Sequence, residues 1–168
     1  MSSIPTLRTD RLVLRTPVIE DWPAFQKTMR TTRSRYMGGP FELDAAWGLF
    51  SHGVAQWTLM GHGTLTIESR QSGQCLGQIE INSGPLFPEN ELGWVLHEEA
   101  EGYGYAFEAA TALRDWAFAE RQLDTLVSYI NPPNLRSRAL AERLGAKIDP
   151  SAPKQDPDDL VYRHPPIR

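Results

Sequence analysis

Residues 91–110 read ELGWVLHEEAEGYGYAFEAA. The first six residues alternate between two faces, as in a β-strand, and an alanine-rich helical pattern begins at Gly104. Gly102 and Gly104 stand at the junction between the two patterns. The free N–H groups of a first helical turn and the positive end of the helix dipole attract anions, so this junction predicts an anion site.

Two familiar phosphate-binding patterns do not fit this turn. A P-loop requires Gly-x-x-x-x-Gly-Lys-Ser/Thr, which occurs nowhere in the chain. A dinucleotide fingerprint requires a third glycine at position 107, where the chain has Phe107. The sequence therefore argues against nucleotide binding of either kind.

The stretch instead resembles the acetyl-CoA motif of the GNAT superfamily of N-acetyltransferases. The family pattern, Gln/Arg-x-x-Gly-x-Gly/Ala, falls on Glu101, Gly104 and Ala106, after a strand and before a helix. Glu101 departs from the pattern because it places a negative side chain beside an expected pyrophosphate. We expect this side chain to point away while backbone amides bind the anion.

The resemblance extends over nearly the entire chain. Residues 11–15 (RLVLR) with Asp21-Trp22 look like the N-terminal strand and helix of the RimJ/RimL-type branch. Residues 134–137 (NLRS) with residues 143–145 (RLG) look like its Asn-x-x-Ser helix. The resemblance implies a single N-acetyltransferase domain over residues 1–168 with an α+β (mixed α/β) fold, in which helices flank a central, mostly antiparallel mixed sheet.

Hydrophobic periodicity and turn residues favour the same architecture. We expect antiparallel pairing of the strands that the turn at residues 70–73 connects, and parallel pairing of the strands on either side of the Gly104 helix. The predicted strands lie near 8–15, 63–69, 75–82, 91–96, 123–130 and 159–163, and the predicted helices lie near 21–29, 44–59, 104–117 and 134–144.

Acetyl-CoA is the co-substrate that the resemblance implies. Its pantetheine arm is expected along backbone groups of residues 94–97, and its pyrophosphate at the turn of residues 102–106. Arg136 and Arg138 are candidates for the 3′-phosphate; the alternative is that these helix arginines contact only water. The predicted cofactor-binding residues are Trp94, Val95, Leu96, His97, Gly102, Tyr103, Gly104, Tyr105, Ala106, Asn134, Ser137 and Arg138.

The implied reaction is direct attack of an amine on the thioester, without a covalent enzyme intermediate. A primary amine is mostly protonated at neutral pH, so a carboxylate must accept a proton. Glu91, at the start of the strand that leads to the turn, is the candidate base; the alternative is a carboxylate that only attracts the ammonium. Ser137 is the available acid for the thiolate, or only a capping residue, because the tyrosine that many relatives use is Ala141 here.

Composition limits the other function classes. The net charge of −4 argues against general nucleic-acid binding. The uncharged stretch of residues 47–67 contains too many glycines and polar residues for a membrane span. The N-terminus lacks a secretory pattern and the chain has one cysteine, Cys75, so we expect a cytoplasmic protein. The four histidines have no metal-ligand spacing, so no metal is expected.

The acceptor remains open at this stage. Acidic residues near the site favour a cationic amine, either a small molecule or a protein N-terminus. The Gly/Pro-rich segments at residues 33–40 and 83–88 are expected to contact it. A monomer or a homodimer is expected. The alternative function is a catalytically silent module that binds acyl-CoA as a sensor or scaffold, which Glu101 and Ala141 leave possible.

Overall fold

The computed structural model describes residues 3–166, which form one eight-stranded sheet and four α-helices. The strands are β1 (Leu7–Arg8), β2 (Leu12–Arg15), β3 (Thr64–Ser69), β4 (Cys75–Asn82), β5 (Glu91–Leu96), β6 (Val127–Ile130), β7 (Lys147–Ile148) and β8 (Leu160–Arg163). The helices are α1 (Trp22–Met29), α2 (Leu43–Met60), α3 (Tyr105–Ala119) and α4 (Leu135–Arg143), with 3₁₀ helices at Ile19–Asp21, Thr32–Met37 and Glu98–Ala100.

The sheet order is β1-β2-β3-β4-β5-β6-β8-β7, and every neighbouring pair is antiparallel except β5 and β6. The predicted mixed, mostly antiparallel sheet is confirmed. The β3–β4 hairpin closes where Gly73, at φ +71°, donates its N–H to Ser69 O at 2.8 Å. The parallel pair flanks α3 in sequence, as a crossover connection requires.

Helix α3 lies close on the sheet because its buried face is made of small residues. Ala109, Ala110, Leu113 and Ala117 are all fully buried, against strand residues such as Leu92. The alanine-rich helical pattern predicted from Gly104 onward is thus confirmed. This close packing fixes the start of α3 beside the end of β5.

Helices α1 and α2 pack together through a separate aromatic cluster. Phe25 and Phe50 are buried, with ring centroids 5.4 Å apart. Trp57 is also buried, whereas Trp47 at the cluster edge keeps 44% of its surface exposed. Phe50 and Trp57 are therefore core residues. No helix within residues 3–166 combines the length and apolarity needed to cross a bilayer.

Two strand boundaries differ from the sequence prediction. The strand expected over 8–15 is interrupted, because Thr9 N–H bonds Leu12 O at 3.0 Å and turns the chain into the β1–β2 hairpin. The strand expected to begin at 123 begins at Val127, because Leu123 N–H is held by Ala117 O, 3.0 Å away, at the end of α3. Both errors come from capping contacts that apolar periodicity does not reveal.

Candidate active site

Strands β5 and β6 separate soon after they meet. Their pairing is limited to Glu91 opposite Val127, with Val127 N–H bonded to Asn90 O at 3.0 Å. One residue further, Ser128 Oγ donates to Leu92 O at 2.6 Å, so a side chain replaces the ladder bond there. Beyond that point the two strands leave a wedge between them, which we call the β5–β6 gap.

The backbone of β5 divides between its partner β4 and this gap. His97 N–H bonds Leu76 O at 2.9 Å, so its amide is already used within the sheet. Alternation in an antiparallel ladder also turns the backbone of Val95 toward β4, while Trp94 and Leu96 face the gap. Among the predicted pantetheine contacts, only Trp94 and Leu96 therefore keep their backbone groups on the gap side.

The turn before α3 exposes a run of unpaired backbone donors. Gly102 and Gly104 have positive φ values of 86° and 80°, and Gly104 caps the helix without any side-chain hydrogen bond. Within residues 3–166, the six N–H groups from Gly102 to Phe107 have no acceptor. A left-handed glycine turn at a helix start aims successive amides at one point, which suits a phosphate.

Arg11 anchors this turn from the opposite side. It donates to Tyr103 O at 2.8 Å, and its guanidinium lies 4.6 Å from the centroid of the Tyr105 ring. Its Nε also binds Glu108 Oε2 at 2.7 Å. Glu108 is the acidic residue in the first turn of α3, so this ion pair occupies a carboxylate that would otherwise face an incoming anion.

The side chain of Glu101 lies between two arginines. Arg33 pairs with Oε1 and Arg136 pairs with Oε2. Burial opposes ionisation of this carboxyl, but the hydrogen bonds from Arg136 and Arg33 outweigh it and lower its pKa. The carboxylate is therefore charged and fully engaged at the entrance of the glycine turn.

Helix α4 brings the predicted acid to the β5–β6 gap. Asn134 caps the helix by accepting from Ser137 N–H at 3.3 Å, and Trp94 Nε1 donates to Ser137 Oγ at 3.2 Å. Arg138 is engaged by Tyr162 OH at 3.2 Å and Pro132 O at 3.1 Å. Ala141 is fully buried and offers no proton donor.

A cavity of about 1060 Å³ opens on the face of the sheet opposite α3. Its wall includes the faces of β4 and β5 that carry Glu80, Glu91 and Val95, and it reaches Trp94 and Ser137 at the gap. Among the described residues that line it, one is an arginine, Arg35, and four are carboxylic acids: Glu80, Glu91, Asp156 and Asp159. The cavity thus favours a cation.

Glu91 is the most perturbed of these acids. Burial together with the nearby charges of Glu80 and Asp159 raises its pKa to about 8, against a hydrogen bond from Asn82 that favours the ionised form. Glu80 is held by Thr64 Oγ1 at 3.0 Å and leans over Gly93, where a Cβ would stand 3.1 Å from Glu80 Oε1. The absence of a side chain at Gly93 lets the two carboxylates share one wall.

The family model named Acetyltransferase (GNAT) domain matches residues 11–147. The chain belongs to the GNAT acetyltransferase family. A solved acetyltransferase from Agrobacterium tumefaciens str. C58 is 55% identical to it with a TM-score of 0.94, over 98% of this chain and 96% of that one. The protein YkkB of Bacillus subtilis (strain 168) is 30% identical over 113 residues, which are 66% of this chain and 61% of YkkB.

More distant acetyltransferases share the fold. The RimL acetyltransferase of ribosomal L7/L12 is 15% identical with a TM-score of 0.76, over 95% of this chain and 93% of that one. Spermidine N-acetyltransferase from Vibrio cholerae, solved with CoA and spermine, is 16% identical with a TM-score of 0.72, over 92% of this chain and 94% of that one. The architecture is thus one that accommodates acetyltransferases of different acceptors.

Several residues of this candidate site were not predicted from the sequence. Glu80 sits on β4 and acts on Glu91 only through the β4–β5 register. Arg33 and Arg11 come from segments distant in sequence from the glycine turn. The cluster Asp156, Asp158 and Asp159 was a visible charge signal in the sequence, and two of its members, Asp156 and Asp159, line the cavity.

No group of three or more His, Cys, Asp or Glu side chains within residues 3–166 is arranged to hold a metal ion. Cys75 is half-buried, and burial raises the pKa of its thiol to about 11, which disfavours the thiolate at neutral pH. The cytoplasmic location and the oligomeric state stay predictions.

Proposed function

We propose that this protein transfers an acetyl group from acetyl-CoA to a primary amine, by direct attack within a ternary complex. The observation that carries the proposal is the run of six amides from Gly102 to Phe107, which have no acceptor among residues 3–166 and lie beside the β5–β6 gap. The amides suit the cofactor pyrophosphate, and the gap suits its extended pantetheine arm, which can pair with the backbone of Trp94 and the N–H of Leu96 like an added strand; Leu96 O already accepts from Arg33.

The proposed chemistry begins with proton removal from the acceptor. Glu91, on the cavity wall, takes a proton from the ammonium directly or through water, and its raised pKa brings its basicity closer to the amine's. The neutral nitrogen then attacks the thioester carbonyl carbon. A new C–N bond forms, and the nitrogen of the tetrahedral intermediate releases its extra proton to water. The intermediate then collapses to the amide, and the C–S bond breaks.

The leaving thiolate then needs a proton. Ser137 Oγ lies at the gap, held by the Trp94 indole at 3.2 Å, and supplies a hydroxyl proton that solvent replaces. Positioning of the two substrates contributes the larger share of the rate, since no covalent step on the enzyme is needed.

The acceptor that fits best is a cationic amine. The carboxylic acids of the cavity, with Arg35 as its lone arginine or lysine among the described lining residues, attract an ammonium group. A small-molecule amine and a protein N-terminus both meet this description. RimL and spermidine N-acetyltransferase, which share the fold, are named for one acceptor of each type.

The test combines cofactor binding with turnover. Calorimetry with CoA measures the cofactor site, and thiol release from acetyl-CoA is then followed with a panel of polyamines, amino acids and short peptides with free N-termini. We expect CoA binding and thiol release with at least one cationic amine. A protein that binds no CoA would contradict the proposal at its foundation.

A second candidate is a catalytically silent acyl-CoA-binding module. Buried Ala141 favours it, because the position where many relatives carry a tyrosine acid has no donor. The same experiment separates the two: CoA binding without thiol release on any amine of the panel would favour the silent module. Thiol release that depends on Glu91 would exclude it.

A further inference from the structure

The side chain of Glu101 connects three separate parts of the chain, immediately before the glycine turn of residues 102–106. Arg33 comes from the 3₁₀ helix Thr32–Met37, and Arg136 comes from the first turn of α4. Each arginine pairs with a different oxygen of the same carboxylate, so one side chain fixes both cations. Gly102, the first residue with an unpaired amide, follows directly in sequence.

Arg33 depends on this contact. Its side chain is only 24% exposed, and its Nη2 also donates to Leu96 O at 3.2 Å. Its Nε is buried without an acceptor among residues 3–166. A guanidinium in such a position is costly without an anion, so Glu101 keeps it in place, yet the group retains one unused donor.

Arg136 depends on Glu101 in another way. Its side chain is 71% exposed, and an exposed arginine on a helix ordinarily samples many conformations. The ion pair restricts that freedom and keeps the guanidinium beside the turn. Glu101 therefore selects where both positive charges stand.

We propose that Glu101 is a positioning residue that holds Arg33 and Arg136 where both can serve the cofactor diphosphate, an inference that rests on the proposed function. The cluster carries two positive charges and one negative charge, so its sum favours an anion. At the position that is Gln or Arg in the family motif, Glu101 itself brings no positive charge, but it holds two arginines that do. The competing view is that the Glu101 carboxylate only repels the diphosphate, and the two views predict opposite changes in affinity.

The experiment measures CoA affinity by calorimetry for the wild type, Glu101→Gln, Arg136→Gln and the double variant. Glu99→Gln is the matched control, since it removes an equal charge from an exposed residue of the 3₁₀ helix Glu98–Ala100, which ends just before Glu101. We expect Glu101→Gln and Arg136→Gln each to weaken binding about tenfold, with the double variant little weaker than either single one. Glu99→Gln should bind CoA as tightly as the wild type or slightly more tightly.

Two further measurements separate positioning from a loss of structure. Binding should depend less steeply on salt in Glu101→Gln than in the wild type, because fewer ionic contacts reach the phosphates. The KM for acetyl-CoA should rise while kcat at saturating acetyl-CoA stays unchanged. Arg136→Gln changes an exposed residue, so it decides the question even where thermal unfolding shows that Glu101→Gln is damaged.

The outcomes are distinct. If the wild type fails to bind CoA, the proposed function and this inference both fall. If the wild type binds CoA while Glu101→Gln binds it equally well or more tightly, only the positioning role falls, and the same holds if Arg136→Gln binds like the wild type.

Discussion

The indole N–H of Trp94 on β5 donates to the hydroxyl oxygen of Ser137 on α4, 3.2 Å away. Because an indole nitrogen can only donate, the serine oxygen is the acceptor and its own proton is left to point elsewhere. The backbone of the same serine is also held, because Ser137 N–H donates to Asn134 Oδ1 at 3.3 Å. The pair therefore sets both the place and the donor direction of the hydroxyl at the β5–β6 gap.

Replacing Ser137 by alanine tests that hydroxyl as the proton donor to the thiolate. We expect kcat to fall about tenfold to a hundredfold, toward the lower end of typical acid–base contributions, with little change in the KM for acetyl-CoA. Ser137→Thr keeps a hydroxyl and should retain most of the activity. An alanine variant with the wild-type kcat would limit Ser137 to the capping contact.

Glu91→Gln tests the base. The amide keeps the shape of the side chain but cannot accept the ammonium proton, so turnover should fall about 10²-fold or more. Steady-state kinetics with one cationic acceptor checks this, and Glu98→Gln, a change at an exposed carboxylate, is the control. Near-wild-type turnover in Glu91→Gln would remove Glu91 from the mechanism.

Glu80 should set the pH dependence of the reaction. A base works in its ionised form, so kcat/KM should rise with pH through the Glu91 pKa of about 8. Removing the negative charge in Glu80→Gln lowers that pKa, so the rising limb should move to lower pH. The measurement is the kcat/KM profile of both proteins from pH 6 to 10. The same acceptor is used for both, so that ionisation of the acceptor affects the two profiles equally. Superimposable profiles would show that Glu80 does not act on the base.

Gly104→Asp tests the anion site at the start of α3. The substitution adds bulk, a negative charge and a left-handed backbone penalty at φ +80°, so CoA binding should be lost. Gly73→Asp is matched for backbone strain, at φ +71°, but lies in the β3–β4 hairpin away from the turn. Both variants should lose some stability in thermal unfolding, and only Gly104→Asp should lose CoA. Retained affinity in that variant would contradict the assignment of the turn.

The sequence was sufficient for features whose signals are local. The alternation of residues 91–96, the two glycines and the alanine stripe predicted a strand, a turn and a helix, and all three are present. The resemblance to the family began with those residues and was extended by the short motifs at residues 11–15 and 134–137. Local patterns succeeded here because each element's signal lies within one short segment.

Features that depend on the meeting of distant segments could not be predicted. The raised pKa of Glu91 follows from Glu80 on the neighbouring strand, and only the register of β4 against β5 brings them together. From the sequence, Glu101 was expected to point away from the pyrophosphate, and no partner for it was predicted. Its partners Arg33 and Arg136 lie 68 and 35 positions away in the chain. No local sequence pattern indicates that these three segments come into contact.

The Ser128 hydroxyl lowers the free-energy cost of placing a ligand in the β5–β6 gap. It donates a hydrogen bond to Leu92 O at 2.6 Å and lies 2.8 Å from His164 Nε2. Burial lowers the pKa of His164 to about 4, so both side chains are neutral near physiological pH. A ligand strand that enters beyond it breaks no ladder bond between β5 and β6. The opening is preorganised, and binding energy that would otherwise separate two strands remains available for holding the ligand.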